Sequence, residues 1–284
     1  MIHGIKRLFE EITQKDVRTQ VEIKDGFTNE NYLINDAYVI RIPKKDHDET
    51  INYKLEKEVY QKIEPLKISE KIIYLDENKG TKISKFVHNT RFYFNKPNNE
   101  QIRYVAKFLK KLHTSSIKVS KNYDALKRLE IYKKYVDSAD FLDAKFEKMV
   151  INNFKNLDDK SSYCLCHNDL VKHNLLFKFN GLIVIDWEYA SMNTPLFDLA
   201  SFVSENSLSQ EQTIYFLKQY YGFKFSNLKM KKVKQMASFL DILFYYRALH
   251  YYKKRGDKLY YDISLEKFNH IKETMMNTKN YYKY

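Results

Sequence analysis

Along the first ninety residues, apolar and polar positions form short runs: Val21-Glu22-Ile23, Tyr32-Leu33-Ile34, Tyr38-Val39-Ile40-Arg41-Ile42, Ile72-Ile73-Tyr74 and Lys82-Ile83-Ser84-Lys85-Phe86. Such runs predict strands, and Asp36-Ala37 predicts a tight turn joining two of them. One helix is expected among them, from about Glu49 to Lys62, with Thr50 as its cap and Pro65 shortly after its end. From Asn98 the period becomes helical, with Ile102, Val105, Ala106, Leu109 and Leu112 on one face. The same test predicts helices over 123–136, 139–155, 196–204, 209–220, 230–254 and 264–277. The pattern is α+β in two lobes: residues 1–88 form a sheet around one helix and residues 89–284 a larger, mainly helical lobe, with the boundary near Val87 to Pro97.

One stretch of the second half breaks the helical rule. Leu-Leu-Phe-Lys-Phe and Leu-Ile-Val-Ile flank Asn180-Gly181, a hairpin signal because both residues tolerate positive φ. With Asn180-Gly181 as the two-residue loop, Phe179 pairs with Leu182, Leu175 lies opposite Asp186 and Asn174 opposite Trp187. Asn174 and Asp186 are then expected to meet at the open end of the hairpin.

Composition narrows the classes. A chain of 284 residues with 44% hydrophobic and 15% aromatic content can bury a core in each lobe. No segment holds the roughly 18 uninterrupted apolar residues of a membrane helix. Met1-Ile2-His3-Gly4-Ile5-Lys6-Arg7 runs straight into mixed charges, so a cytoplasmic protein is expected. The net charge of +13 raises nucleic acid or an anionic membrane as partners, but the lysines are spread along the chain rather than clustered. Nucleic-acid binding is therefore not expected, and no protein partner is implied. The two cysteines, Cys164 and Cys166, read as reduced thiols at alternate positions of a short buried strand rather than as zinc ligands with His167 and His173.

Chemistry concentrates in His167-Asn168-Asp169-Leu170-Val171-Lys172-His173-Asn174, with the strand ending at Asp186 following. Phosphoryl transfer needs a carboxylate to orient a hydroxyl and take its proton, and oxygen ligands for the Mg²⁺ that neutralises ATP phosphates. Asp169 suits the first task, Asn174 and Asp186 the second, and His167 is expected to hold the loop through hydrogen bonds.

At these residues the sequence resembles the kinase-like superfamily of aminoglycoside phosphotransferases and choline and ethanolamine kinases, and looks closest to bacterial choline kinases. The similarity also takes in Gly26–Leu33, Tyr38–Pro43, Ile51–Glu56, Ala106–His113, Ile185–Ala190 and Pro195–Ala200. It implies a bilobal protein-kinase-like fold and a loop over the ATP phosphates from Gly26 to Asn31, including Thr28 and Asn29. It further implies phosphate contact from Arg41, paired with Glu56 or its rival Glu58, and an adenine hinge at Lys85-Phe86-Val87. The implied acceptor is a small amino alcohol, choline or ethanolamine, against Asp241, Phe244 and Tyr245, with Glu188 and Trp187 as further candidates. Arg247 stands where the resemblance expects an aromatic ring. The alternatives are a same-fold kinase for an aminoglycoside, thiamine or a thiosugar, or a non-catalytic basic binding protein.

Overall fold

The computed structural model describes residues 2–23, 29–45, 48–91 and 96–281. The chain opens with a helix, α1 (Ile2–Thr13), where no helix was expected. Its signal is short: Ile5, Phe9 and Ile12 recur on one face, and Ile5 and Phe9 are buried.

Strands β1 (Gln20–Ile23), β2 (Asn29–Ile34), β3 (Tyr38–Pro43), β4 (Ile72–Leu75) and β5 (Lys82–Lys85) form an antiparallel sheet in the order β1-β2-β3-β5-β4. The β2–β3 turn works because Asn35 and Asp36, at φ 52 and 49°, accept left-handed backbone. Period two then divides the sheet. Ile34, Tyr38, Ile40 and Ile83 pack in one cluster with Ile5 and Phe9 of α1. Leu33, Val39, Arg41, Lys82 and Ser84 line a cavity on the other face.

Helix α2 (Tyr53–Ile63) begins later than the periodicity suggests, and its cap is Asn52, whose side chain accepts from the Leu55 N–H. Thr50 instead bonds Asp48 through both its backbone N–H and its hydroxyl. Val59, Tyr60 and Ile63 of α2 belong to the same cluster as the helical lobe, so this helix ties the two halves together.

The helical lobe holds α3 (Asn99–His113), α4 (Ala125–Lys133), α5 (Ala144–Leu157), α6 (Pro195–Glu205), α7 (Gln210–Tyr221), α8 (Asn227–Arg255) and α9 (Lys258–Tyr281). It also holds the pairs β6 (Cys164–Cys166) with β9 (Ser191–Asn193) and β7 (Leu175–Lys178) with β8 (Gly181–Val184). The β7–β8 hairpin forms in a register that differs from the expected one. Lys178 pairs with Gly181 and Leu175 with Val184, so the turn is Phe179-Asn180. Neither turn residue takes positive φ, and glycine closes the turn at the position that type I turns favour. Asn174 consequently lies next to Ile185, whose N–H it accepts at 3.0 Å, and not opposite Trp187. No helix of the described residues is long and apolar enough to cross a membrane.

Candidate active site

A cavity of about 570 Å³ separates the sheet from the helical lobe. Arg41 and Lys82 are directly paired across β3 and β5 and line this cavity together. Two adjacent buried cations require carboxylates. Glu56 of α2 meets Arg41 through two bonds of 2.8 and 2.6 Å and Lys82 at 3.4 Å, while Glu70 takes Lys82 at 3.2 Å. Glu58 bonds Lys62 and Ser120 instead, which settles the choice of partner in favour of Glu56. The remaining reach of Arg41 goes across the cleft to Asp186 at 3.2 Å and Glu188 at 3.4 Å. Burial works against its charge, but Glu56, Glu188 and Asp186 together keep the guanidinium firmly protonated.

The loop after β6 is held from below. Asp198, near the start of α6, accepts the backbone N–H of His167 at 2.9 Å and of Asn168 at 2.7 Å, and its carboxylate meets His113 Nε2 at 3.1 Å. Asn168, at φ 66°, donates to Tyr189 O and accepts from Asn193. His167 is fully buried, bonds Ile185 O at 3.1 Å and packs edge-on to Trp187. It does not line the cavity, where it was expected beside Asp169; its contacts hold the loop, and Asp169 is the one of the two that faces the cavity. Burial pushes the Asp169 carboxyl above its ordinary value; Arg247 and His167 work against the rise and Asp186 adds to it.

Asn174 and Asp186, five and seventeen residues after Asp169, line the cavity with it. Asn174 spends its amide nitrogen on Asp169, at 2.9 Å to the backbone oxygen and 3.3 Å to Oδ2, which leaves Oδ1 as its oxygen donor. Asp186 sits at φ 64°, a backbone that breaks the strand alternation after β8. An amide oxygen and a carboxylate are donors of the kind Mg²⁺ takes, with its other positions left to phosphate and water.

Of the residues expected at the nucleotide, Asn29, Asn31, Arg41, Lys85 and Val87 line the cavity. Glu56 lies behind Arg41, and Gly26 to Thr28 fall outside the described residues. Glu188 also lines the cavity, where Asn29 bonds it at 3.2 Å. Burial first, then the neighbouring Asp186, push its carboxyl up to about 8, against the pull of Arg41.

The far end of the cavity corrects three expectations. Trp187 is fully buried with its indole N–H on Val184 O, so it supports the loop and does not face the cavity. Asp241 is taken by Ser204 and by Lys267 of α9, and Tyr245 donates to Asp140 O and stacks on Phe268. The helical rotation explains this: Phe244, Arg247 and Ala248 share the α8 face that lines the cavity, and positions 241 and 245 fall to one side of it. Glu205, Tyr260 and Ile263 complete this end, and none was expected from the sequence. Burial pushes the Glu205 carboxyl up and Lys267, at 2.5 Å, pulls it down.

Arg247 does line the cavity. Its guanidinium donates to the Tyr189 hydroxyl at 2.8 Å, lies 4.7 Å from the centre of that ring and approaches Asp169 to 3.8 Å. The cysteines occupy alternate positions of β6 as expected, beside His113, whose ring is held by the Tyr220 hydroxyl and Asp198.

A model of the phosphotransferase enzyme family matches residues 19–227. Protein LicA of Haemophilus influenzae is 28% identical over 205 residues, 69% of this chain and 60% of that protein, so the match spans less than two thirds of the relative. Choline kinase LicA from Streptococcus pneumoniae superposes with a TM-score of 0.82 at 20% identity, covering 97% of this chain and 99% of the other. A LicA structure in complex with AMP superposes at 0.77 with 19% identity, covering 95% and 98%. The bilobal fold is thus shared with the two superposed structures.

Proposed function

Since this chain belongs to the phosphotransferase enzyme family, we propose that it moves the γ-phosphoryl group of ATP to the primary hydroxyl of a small amino alcohol, choline first and ethanolamine second. One observation carries this reading. A single cavity runs from the hinge residues Lys85-Phe86-Val87, past Arg41, Asp186 and Asp169, to a pocket walled by Glu205, Phe244 and Tyr260.

Adenine lies between Leu33 and Val39 above and Leu176 and Ile185 below, an apolar slot suited to a flat ring. Arg41, fixed by Glu56, points its charge at the phosphates. Asn174 and Asp186 are the residues that would hold Mg²⁺, which when bound neutralises charge on the β- and γ-phosphates. Asp169 orients the acceptor hydroxyl and takes its proton, a task helped by a carboxyl whose basicity burial has raised. The ammonium end of the acceptor meets the Glu205 carboxylate and the faces of Phe244 and Tyr260, each cation–π contact being worth about 0.5 to 2 kcal/mol. The naming of one structural neighbour as a choline kinase supports this assignment.

Arg247 favours a second reading, a same-fold kinase for another small hydroxyl compound such as an aminoglycoside, thiamine or a thiosugar. A guanidinium in the pocket wall disfavours a trimethylammonium group unless Asp169 and Tyr189 keep it engaged. ADP release measured across choline, ethanolamine and those alternatives decides between the readings. Magnesium-dependent release stimulated by choline is the expected result. ATP binding with no turnover on any alcohol reverses the proposal in favour of a non-catalytic binding protein.

A further inference from the structure

Between Glu211 and Asp241 the chain has no acidic residue and carries six lysines, at 218, 224, 229, 231, 232 and 234. This segment contains the α7–α8 junction. Gly222, at φ 59°, turns the chain there, and the turn presents Phe223 at 95% exposure with Leu228 at 62% on the first turn of α8. Phe223 is the most exposed large apolar side chain among the described residues. Aromatic rings and lysines interleave around it: Lys224 lies 6.0 Å from the Phe223 ring, Lys218 5.9 Å from Phe225 and Lys229 4.2 Å from Tyr221. From outside the segment, Asp159 feels the charge of Lys232. Folding therefore gathers a local cationic field around two apolar side chains that it leaves in water.

We propose that this face docks the protein on an anionic lipid bilayer, with Phe223 and Leu228 entering the boundary between headgroups and acyl chains and the lysines meeting lipid phosphates. A surface with lysines flanking exposed Phe and Leu matches the chemistry of an interfacial membrane contact. Nucleic acid satisfies the lysines and offers stacking to Phe223, but gives Leu228 no partner. Neither Phe223 nor Leu228 lines the cavity, and Leu228 and Phe244 are separated by roughly 24 Å along the α8 axis.

The test is co-sedimentation of the full chain with vesicles of phosphatidylcholine alone or with about one third phosphatidylglycerol, a charge density that attracts polybasic segments. Binding at least about tenfold stronger to the anionic vesicles, weakened by added salt, is expected. F223S/L228S changes only exposed side chains outside the cavity; it should keep its melting temperature and ADP release and lose about tenfold in vesicle binding. In a Phe223→Trp variant the added emission should shift to the blue on anionic vesicles. Unchanged vesicle binding by F223S/L228S overturns the proposal. So does binding to single-stranded RNA without binding to vesicles, or a dimer in sedimentation that the double variant dissociates.

Discussion

Arg41 on β3 and Glu56 on α2 face each other through two bonds of 2.6 and 2.8 Å, with side chains 4% and 0% exposed. The pair fixes the position of α2 against the sheet and aims the guanidinium at Asp186 and Glu188 across the cleft. Glu56→Gln leaves Arg41 and Lys82 short of a buried countercharge. The expected loss is about 3 kcal/mol of stability, seen as a lowered melting temperature, together with a raised KM for ATP. Glu58→Gln, at the exposed pair with Lys62, should change neither.

Asp169→Asn keeps the size of the side chain and removes the proton acceptor. kcat should fall by about 10² to 10⁴ while ATP affinity, measured by calorimetry without acceptor, stays within a few-fold. Full turnover in this variant would remove Asp169 from the mechanism.

Glu205→Gln tests the acceptor end. Its loss should raise KM for the amino alcohol by about tenfold, the equivalent of roughly 1.4 kcal/mol, and leave KM for ATP unchanged. The paired variant Arg247→Trp should improve choline relative to ethanolamine, since it exchanges a cation for an aromatic face.

The Glu188 carboxyl sets a pH dependence. Its value rises from an ordinary 4.5 to about 8 in the folded chain, so the folded state holds a proton that the unfolded state releases. Stability without nucleotide is therefore full below 4.5 and declines as pH rises through about 8, by up to about 1.4 kcal/mol per unit within that window. Urea unfolding of Glu188→Gln between pH 5 and pH 9 should show a flatter profile than the parent; an unchanged slope would place the proton elsewhere.

Asp198→Ala strands the buried N–H groups of His167 and Asn168. Each orphan costs about 1 to 3 kcal/mol, and the loop bearing Asp169 loses its anchor. Both the melting temperature and kcat should drop, with Asp198→Asn recovering part of each.

The grouping of Asp169, Asn174 and Asp186 was legible because these residues are close in sequence. Asp169 and Asn174 lie five residues apart, and a hairpin of about ten residues brings Asp186 back beside them, even though the turn forms at Phe179-Asn180 instead of Asn180-Gly181. Alternation in β3 likewise sends Arg41 to the face opposite Ile40 and Ile42. Trp187 misled for a local reason: positive φ at Asp186 resets the alternation, so the neighbour of a cavity carboxylate enters the core.

Hydrophobic periodicity by itself determined the α+β division and most helices, and the His167–Asn174 motif with the hairpin after it brought Asp169, Asn174 and Asp186 together, because each depends on backbone geometry over a few residues. Tertiary structure alone decided that Glu56 rather than Glu58 meets Arg41, and that Glu205 and Tyr260 share a pocket with Phe244 and Arg247. Those choices depend on which face of α2, α6, α8 and α9 is turned inward. That rotation is set by packing between segments far apart in the chain, which a local pattern does not encode.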